Sequence, residues 1–189
     1  MKKWQRLALG VALTATTAGG AMVASSAANA QSPVSGSLKQ SAAQGWHGDV
    51  AANKRLVMAF MQDVLDRHNG PHAARYFTAG MQWHGGTVGT VAGRDNVTGL
   101  MTTVVTSIPD LHASVQDIFG QGNEVVVRLV VTGTQKGPLL GIPASGRHVQ
   151  WDAIDLYHID HGRISEEWAG EDFTAFLNDT GTYKAPWIQ

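Results

Sequence analysis

Residues 124–134, EVVVRLVVTGT, are a β-branched run that predicts a central strand. Two more strands are predicted at residues 148–159 (HVQWDAIDLYHI) and 163–168 (RISEEW), with a tight turn between them. A further strand is expected at residues 111–119, where the pattern alternates before a glycine-rich turn. The second half of the chain is therefore expected to form a meander of long antiparallel strands.

Helical periodicity dominates the chain before this meander. Apolar residues spaced by three and four positions predict a helix that begins near Val50 and ends before Asn69-Gly70-Pro71. A short helix at residues 72–77, a brief strand at 81–84 and a helix at 94–107 are expected to follow. Helices followed by strands indicate an α+β fold, with a cone-shaped curved antiparallel sheet wrapped over about three N-terminal helices. The open end of such a cone is a natural small-molecule pocket.

The amino terminus has the three parts of a secretory signal. Lys2, Lys3 and Arg6 precede a short apolar run, and the segment ends in Ala28-Asn29-Ala30. We expect residues 1–30 to be a cleaved signal peptide, residues 31–48 a flexible spacer and residues 49–189 the domain. A retained anchor is the alternative, but polar and small residues dilute the segment's apolarity. The sequence therefore predicts a periplasmic or secreted protein without a stable membrane anchor.

Charge and cysteine content narrow the possible partners. The chain has 14 Lys and Arg against 15 Asp and Glu, and no cysteine. Removal of residues 1–30 takes away three positive charges and leaves 11 against 15, a net charge of −4. This acidity argues against a nucleic-acid partner, which would require a basic patch. Without disulfides, the exported domain must be held together by its hydrophobic core.

Several short motifs occur together in the second half of the chain. Thr132-Gly133-Thr134 ends the central strand, Gly141-Ile142-Pro143 lies in the following loop, and Asp160-His161-Gly162-Arg163 forms a turn. Glu166, Trp168 and Asp172 follow. In order and spacing these motifs resemble the SnoaL-like polyketide cyclases, also called ester cyclases, of the nuclear transport factor 2-like superfamily. The resemblance spans about residues 50–178.

The resemblance implies both an architecture and a chemistry. It implies an α+β cone, commonly a homodimer or a higher oligomer, and in characterised members a cofactor-free intramolecular aldol ring closure. In characterised members an aspartate on the last strand acts as acid and base, near a histidine on the preceding strand. Here the aspartate position falls on Ala169 and the histidine position on Asp155. The cyclase mechanism therefore does not transfer directly to this chain.

Three residues are candidates for acid/base chemistry. Alternation along residues 148–159 places Asp155 on the more apolar face of its strand, where burial would raise its pKa. A structural aspartate satisfied by hydrogen bonds or by Arg128 is the alternative. Glu167 shares a face with Ala169, and a surface ion pair is its alternative. His84, at the end of the short strand, could form a proton-transfer pair with Asp155 or could be an ordinary loop histidine.

Other residues are expected to contact the ligand. Trp151 and Tyr157 share the face of Asp155, and Trp83 precedes His84. The resemblance implies that Asp172 also contacts the ligand, because it follows the last strand at the family's spacing. No set of histidines has the spacing of a metal site, and no nucleotide, phosphate or nucleophile motif occurs. We therefore expect neither metal nor cofactor.

The sequence leaves three functions open. The leading hypothesis is an exported domain that performs acid/base chemistry on a hydrophobic, carbonyl-bearing small molecule by ring closure, isomerisation, dehydration or hydration. The second is a non-catalytic binding or carrier protein with the same pocket. The third is an assembly role in which the sheet face forms a dimer surface.

Overall fold

A curved six-stranded sheet occupies one side of the computed structural model, which describes residues 49–188. The predicted signal segment, residues 1–30, and the spacer, residues 31–48, lie outside the described residues. The strand order is β2-β1-β6-β5-β4-β3. The strands are β1 Phe77–His84, β2 Thr90–Ala92, β3 His112–Gln121, β4 Glu124–Thr134, β5 His148–Asp160 and β6 Arg163–Glu171.

The helices precede the long strands, as predicted, and one more follows them. The first helix, α1, continues directly into a π-helical turn, and a 3₁₀ helix replaces the predicted second α-helix. Asp49 caps α1 by accepting a hydrogen bond from the Ala51 N–H at 3.0 Å. The bounds are α1 Val50–Phe60, the π-helical turn Met61–Asp66, the 3₁₀ helices Gly70–Arg75 and Gly86–Val88, α2 Arg94–Ser107 and α3 Phe173–Thr180.

The α+β fold is confirmed, but the sheet is mixed instead of antiparallel. β1 pairs with β6 in parallel, with Trp83 opposite Glu167 and His84 opposite Trp168. β1 leaves the helical half of the chain and joins the sheet beside its last strand, a long-range pairing that local periodicity does not reveal. β2 is a second difference, because it lies between residues 84 and 94, where no strand is predicted.

Strict alternation along β5 divides the sheet into two faces. Trp151, Ala153, Asp155 and Tyr157 are buried, and we call their side the inner face, whereas the residues between them are exposed or half-buried. The helices pack on the inner face. Phe60 of α1 contacts Tyr157 edge-on, with ring centroids 6.2 Å apart. The other side is called the outer face.

Residues 49–188 contain neither a helix that could span a membrane nor a cluster that could hold a metal ion. Among residues 49–188, no helix is long and apolar enough to cross a bilayer. The same residues contain no group of three or more histidine or acidic side chains arranged to hold a metal ion.

Candidate active site

An apolar cavity of about 80 Å³ lies between the inner face and the helices. Strands β4, β5 and β6 contribute its base, and α1, the π-helical turn and α2 contribute its cover. Leucine, valine and methionine side chains form most of the wall. The aromatic lining residues are Phe60, Trp83, Trp151, Tyr157 and Phe173.

Three carboxyl groups converge on this apolar cavity. Asp155 comes from β5, and Glu167 and Glu171 come from β6. The register explains their proximity, because Asp155 lies opposite Ala169, the residue midway between the two glutamates. Side chains two residues apart on a strand share a face, so Glu167 and Glu171 flank Asp155 from the neighbouring strand.

Asp155 is 3% exposed and is held by two hydrogen bonds. The Gly170 N–H donates to its Oδ1 at 3.2 Å, and the Tyr157 hydroxyl lies 3.4 Å from its Oδ2. Burial is the main cause that raises its pKa well above 3.8, and the nearby charges of Glu171 and Glu167 add to the rise. Arg128 does not neutralise it, because that guanidinium pairs with Asp117 at 2.5 Å. Asp155 therefore keeps its proton more readily than an ordinary aspartate.

Glu167 is 4% exposed, and burial raises its pKa from 4.5 to about 8. The charge of Glu171 raises the pKa further, while hydrogen bonds with Tyr157 and Trp83 oppose the rise. Its Oε2 atom is buried and has no hydrogen-bond partner among the described residues. A buried polar atom without a partner is costly, so this oxygen is available to a ligand.

Glu171 has the smaller pKa rise of the two glutamates. Burial raises its pKa from 4.5 to about 7, and a hydrogen bond donated by the Trp151 indole N–H limits the rise. The charge of Glu171 raises the pKa of both Glu167 and Asp155, so its ionisation holds the proton on its two neighbours. The side chain is only partly buried, so water has better access to Glu171 than to Glu167.

No lysine, arginine or histidine is found among the described residues that line the cavity. No positively charged side chain among these lining residues therefore neutralises the carboxyl groups, and their raised pKa values follow from burial and mutual repulsion. The arrangement combines a carboxylate with carboxylic acids at neutral pH, which are the two partners of general acid/base chemistry.

The family model for the SnoaL-like polyketide cyclases matches residues 55–180, about two thirds of the chain. The chain belongs to the SnoaL-like polyketide cyclase family. This confirms the resemblance inferred from the motifs. No curated protein matches the chain significantly.

Solved structures support the same fold. TsrD from Streptomyces laurentii superposes with a TM-score of 0.64 at 24% identity, covering 72% of this chain and 99% of that one. A proposed SnoaL-like polyketide cyclase from Jannaschia sp. CCS1 gives 0.66 at 22% identity, covering 72% and 97%. An LEH-like epoxide hydrolase from Mycobacterium tuberculosis gives 0.58 at 13% identity, covering 70% and 92%.

The structure separates His84 from the other predicted catalytic residues. Trp83 faces the cavity, so the next residue along the strand faces away. His84 stacks on Trp168 at the outer face, with ring centroids 5.2 Å apart, and its Nδ1 lies 3.1 Å from Thr90 Oγ1. The expected proton-transfer pair of His84 with Asp155 is therefore wrong.

Asp172 was expected to bind the ligand, but it has a structural contact. It is exposed and caps α3, where its Oδ1 accepts a hydrogen bond from the Ala175 N–H at 3.1 Å. It does not line the cavity that contains the three carboxyl groups. The remaining predicted site residues, Asp155, Glu167, Trp83, Trp151 and Tyr157, all line it.

Glu171 is the site residue that the sequence analysis missed. The predicted last strand stops at Trp168, whereas β6 runs to Glu171 and pairs there with Ala153. Had the strand been extended, the spacing of Glu167 and Glu171 by four residues would have placed both on one face. At the position where the resemblance expects the family's aspartate, Ala169 is also on the inner face, between the two glutamates.

Proposed function

We propose that this protein catalyses cofactor-independent proton transfer beside a carbonyl group of an apolar small molecule. The observation that carries the proposal is the convergence of three carboxyl groups of raised pKa on an apolar cavity with no basic lining residue among those described. Such a cavity desolvates a neutral substrate and presents both an acid and a base to it.

The order of the pKa values assigns the roles. Glu171, with a pKa of about 7, supplies the carboxylate that removes a proton from the carbon next to the carbonyl. Glu167, with a pKa of about 8, supplies the carboxylic acid, whose proton passes to the carbonyl oxygen as its charge develops. The step leaves protonated Glu171, ionised Glu167 and a neutral enol, so protons and charge balance.

Asp155 supports this pair instead of acting as the base that its position in the sequence suggested. Burial is the main cause that raises its pKa, and the charges of both neighbouring glutamates raise it further, so an ionised Glu171 favours the protonated form of Asp155. Its contact with Tyr157 at 3.4 Å holds the phenol beside Glu167, with which the Tyr157 hydroxyl also forms a hydrogen bond. The bound enol can then close a ring, return its proton at another carbon or expel a hydroxyl group.

The cellular setting of this proposal is outside the cytoplasm. The basic start, apolar run and Ala28-Asn29-Ala30 end of residues 1–30 support export and cleavage. The substrate we propose is therefore a hydrophobic carbonyl compound met in the periplasm or the medium.

The test is exchange of solvent deuterium into a cyclic ketone, cyclohexanone, followed by ¹H NMR. Glu171→Gln is expected to slow the exchange at least ~100-fold, the range for loss of a general base. Glu166→Gln is the matched control, because Glu166 lies on the opposite side of the same strand and contacts Gln82 at 3.4 Å. Equal exchange in Glu171→Gln and the wild type contradicts the assignment of the base.

A ligand carrier is the second candidate, and one observation favours it. Ala169, where the resemblance expects the family's catalytic aspartate, lies on the inner face without an ionisable group. A carrier would bind cyclohexanone saturably but would not exchange its protons above the rate in buffer. The same NMR samples therefore distinguish a carrier from an enzyme.

A further inference from the structure

The loop between β4 and β5 reaches the cavity with the tip of a small hairpin. Leu139 and Ile142 exchange two backbone hydrogen bonds, at 3.0 and 2.9 Å, around Leu140-Gly141. Leu139 and Leu140 both line the cavity. This is the segment whose Gly141-Ile142-Pro143 motif the sequence analysis singled out and to which the proposed chemistry gives no role.

Two buried polar side chains fix this loop in place. Gln135 is fully buried, its Nε2 donates to the carbonyls of Gly137 and Pro143 at 3.2 and 3.1 Å, and its Oε1 accepts from the Ser145 N–H at 3.1 Å. Ser107 donates from its Oγ to the Pro138 carbonyl at 2.7 Å. The hairpin tip is therefore a pre-organised wall of the cavity.

Leu140 is an unusual residue for its position. Its φ is +52°, a conformation that leucine rarely adopts, and its side chain is 39% exposed. Two-residue turns of this kind favour asparagine, aspartate or glycine at the first central position. Neither backbone preference nor burial explains a leucine here, and an observed outlier of this kind points to function. Its contact with the cavity supplies that explanation.

We propose that Leu140 is a specificity-determining residue that limits the size of the ligand. The free space of about 80 Å³ is smaller than the ~150 Å³ of an engineered cavity that holds benzene. A one-ring ligand therefore already exceeds this space and must extend past the hairpin tip, where Leu140 stands, and a two-ring ligand must extend further. The proposal deepens the proposed function, since it concerns the same cavity, but it requires only binding there and no proton transfer.

The test compares two glycine substitutions at equivalent turns. Leu140→Gly removes the side chain at the hairpin tip. His161→Gly is the matched control, because His161 and Gly162 form a turn at the other end of β5 with similar positive φ values. They are +48° and +73°, against +52° and +79° for Leu140 and Gly141. The probes are cyclohexanone and 2-decalone, together with the corresponding alcohols, and binding is measured by ¹H–¹⁵N NMR titration.

Leu140→Gly is expected to shift the ratio of the two dissociation constants at least tenfold in favour of the two-ring probe. Its unfolding temperature is expected to equal or exceed that of the wild type, because glycine relieves the positive φ. His161→Gly is expected to leave the ratio within twofold of the wild type. Leu140→Asn, which tolerates the same backbone, is a second variant with the same expected stability.

Several results overturn the proposal. They are an unchanged ratio in Leu140→Gly, an equal shift in His161→Gly, or an absence of saturable binding of all four probes to the wild type. A large fall in unfolding temperature in both Leu140→Gly and Leu140→Asn also overturns it, because the leucine would then serve folding. A shifted ratio without deuterium exchange from the ketones contradicts only the proposed function.

Discussion

The Glu167→Gln variant is expected to be more stable than the wild type at alkaline pH and similar to it in acid. Glu167 is buried without a basic partner among the described lining residues, and its folded-state pKa of about 8 lies above the ordinary value of 4.5. Between these two values the unfolded chain has released the proton that the folded chain retains. The contribution of protonated Glu167 to the free energy of unfolding is therefore fully present below about pH 4.5 and is lost as the pH rises toward 8.

The size of this effect follows from the two pKa values. Each pH unit between 4.5 and about 8 costs the wild type about 1.4 kcal/mol of unfolding free energy. Glutamine cannot ionise, so Glu167→Gln avoids this loss. Its advantage over the wild type should grow by about 4 kcal/mol between pH 5 and pH 8. This is a large fraction of the 5–15 kcal/mol that is usual for a domain.

Urea unfolding at pH 5, 6.5 and 8 measures this difference directly. Glu166→Gln is the matched control, since Glu166 is half-buried on the other side of β6. A Glu167→Gln effect that does not change with pH would refute the reasoning. It would show that the Glu167 carboxyl is solvated or paired in the folded state.

Three further predictions concern the site, the outer face and the chain's start. Trp151→Phe removes the N–H that donates to Glu171, so the pKa of Glu171 should rise. In a pH profile, the increase in deuterium exchange rate with pH should then occur up to ~1 unit higher than in the wild type. An unchanged profile contradicts the role of the indole. Ile154 and Trp168 are exposed on the outer face, which is the expected dimer surface. Light scattering should therefore show a wild-type dimer that Ile154→Lys converts to a monomer. A monomeric wild type contradicts a dimer through this face. Protein recovered from the periplasm should begin at Gln31 by intact mass, and a mass that includes residues 1–30 contradicts cleavage.

The strands were predictable because their patterns are local. The β-branched run at residues 124–134 and the alternation along residues 148–159 gave β4 and β5 with almost their observed bounds. The same alternation placed Trp151, Asp155 and Tyr157 on one face, and all three line the cavity. A period of two specifies which side chains share a face, so burial could be inferred before the structure.

The errors have two sources, contacts that are distant in sequence and one interruption of a local pattern. The parallel pairing of β1 with β6 sets which way Trp83 and His84 point, and nothing near His84 reveals it. Glu171 was missed because Gly170 interrupts the β-branched and aromatic pattern, although β6 continues through it. The raised pKa values depend on the absence of a cation near the carboxyl groups, which only the folded arrangement of the described residues shows.

The most direct test of the central claim is a pH titration of the glutamate carboxyl carbons by ¹³C NMR in the folded protein. Glu171→Gln and Glu167→Gln assign the two signals. We expect one carboxyl to titrate near pH 7 and the other near pH 8, with the Glu167 midpoint falling in Glu171→Gln because a neighbouring charge is lost. Midpoints near 4.5 for both, unchanged by either substitution, would contradict the paired acid and base on which the proposed function rests.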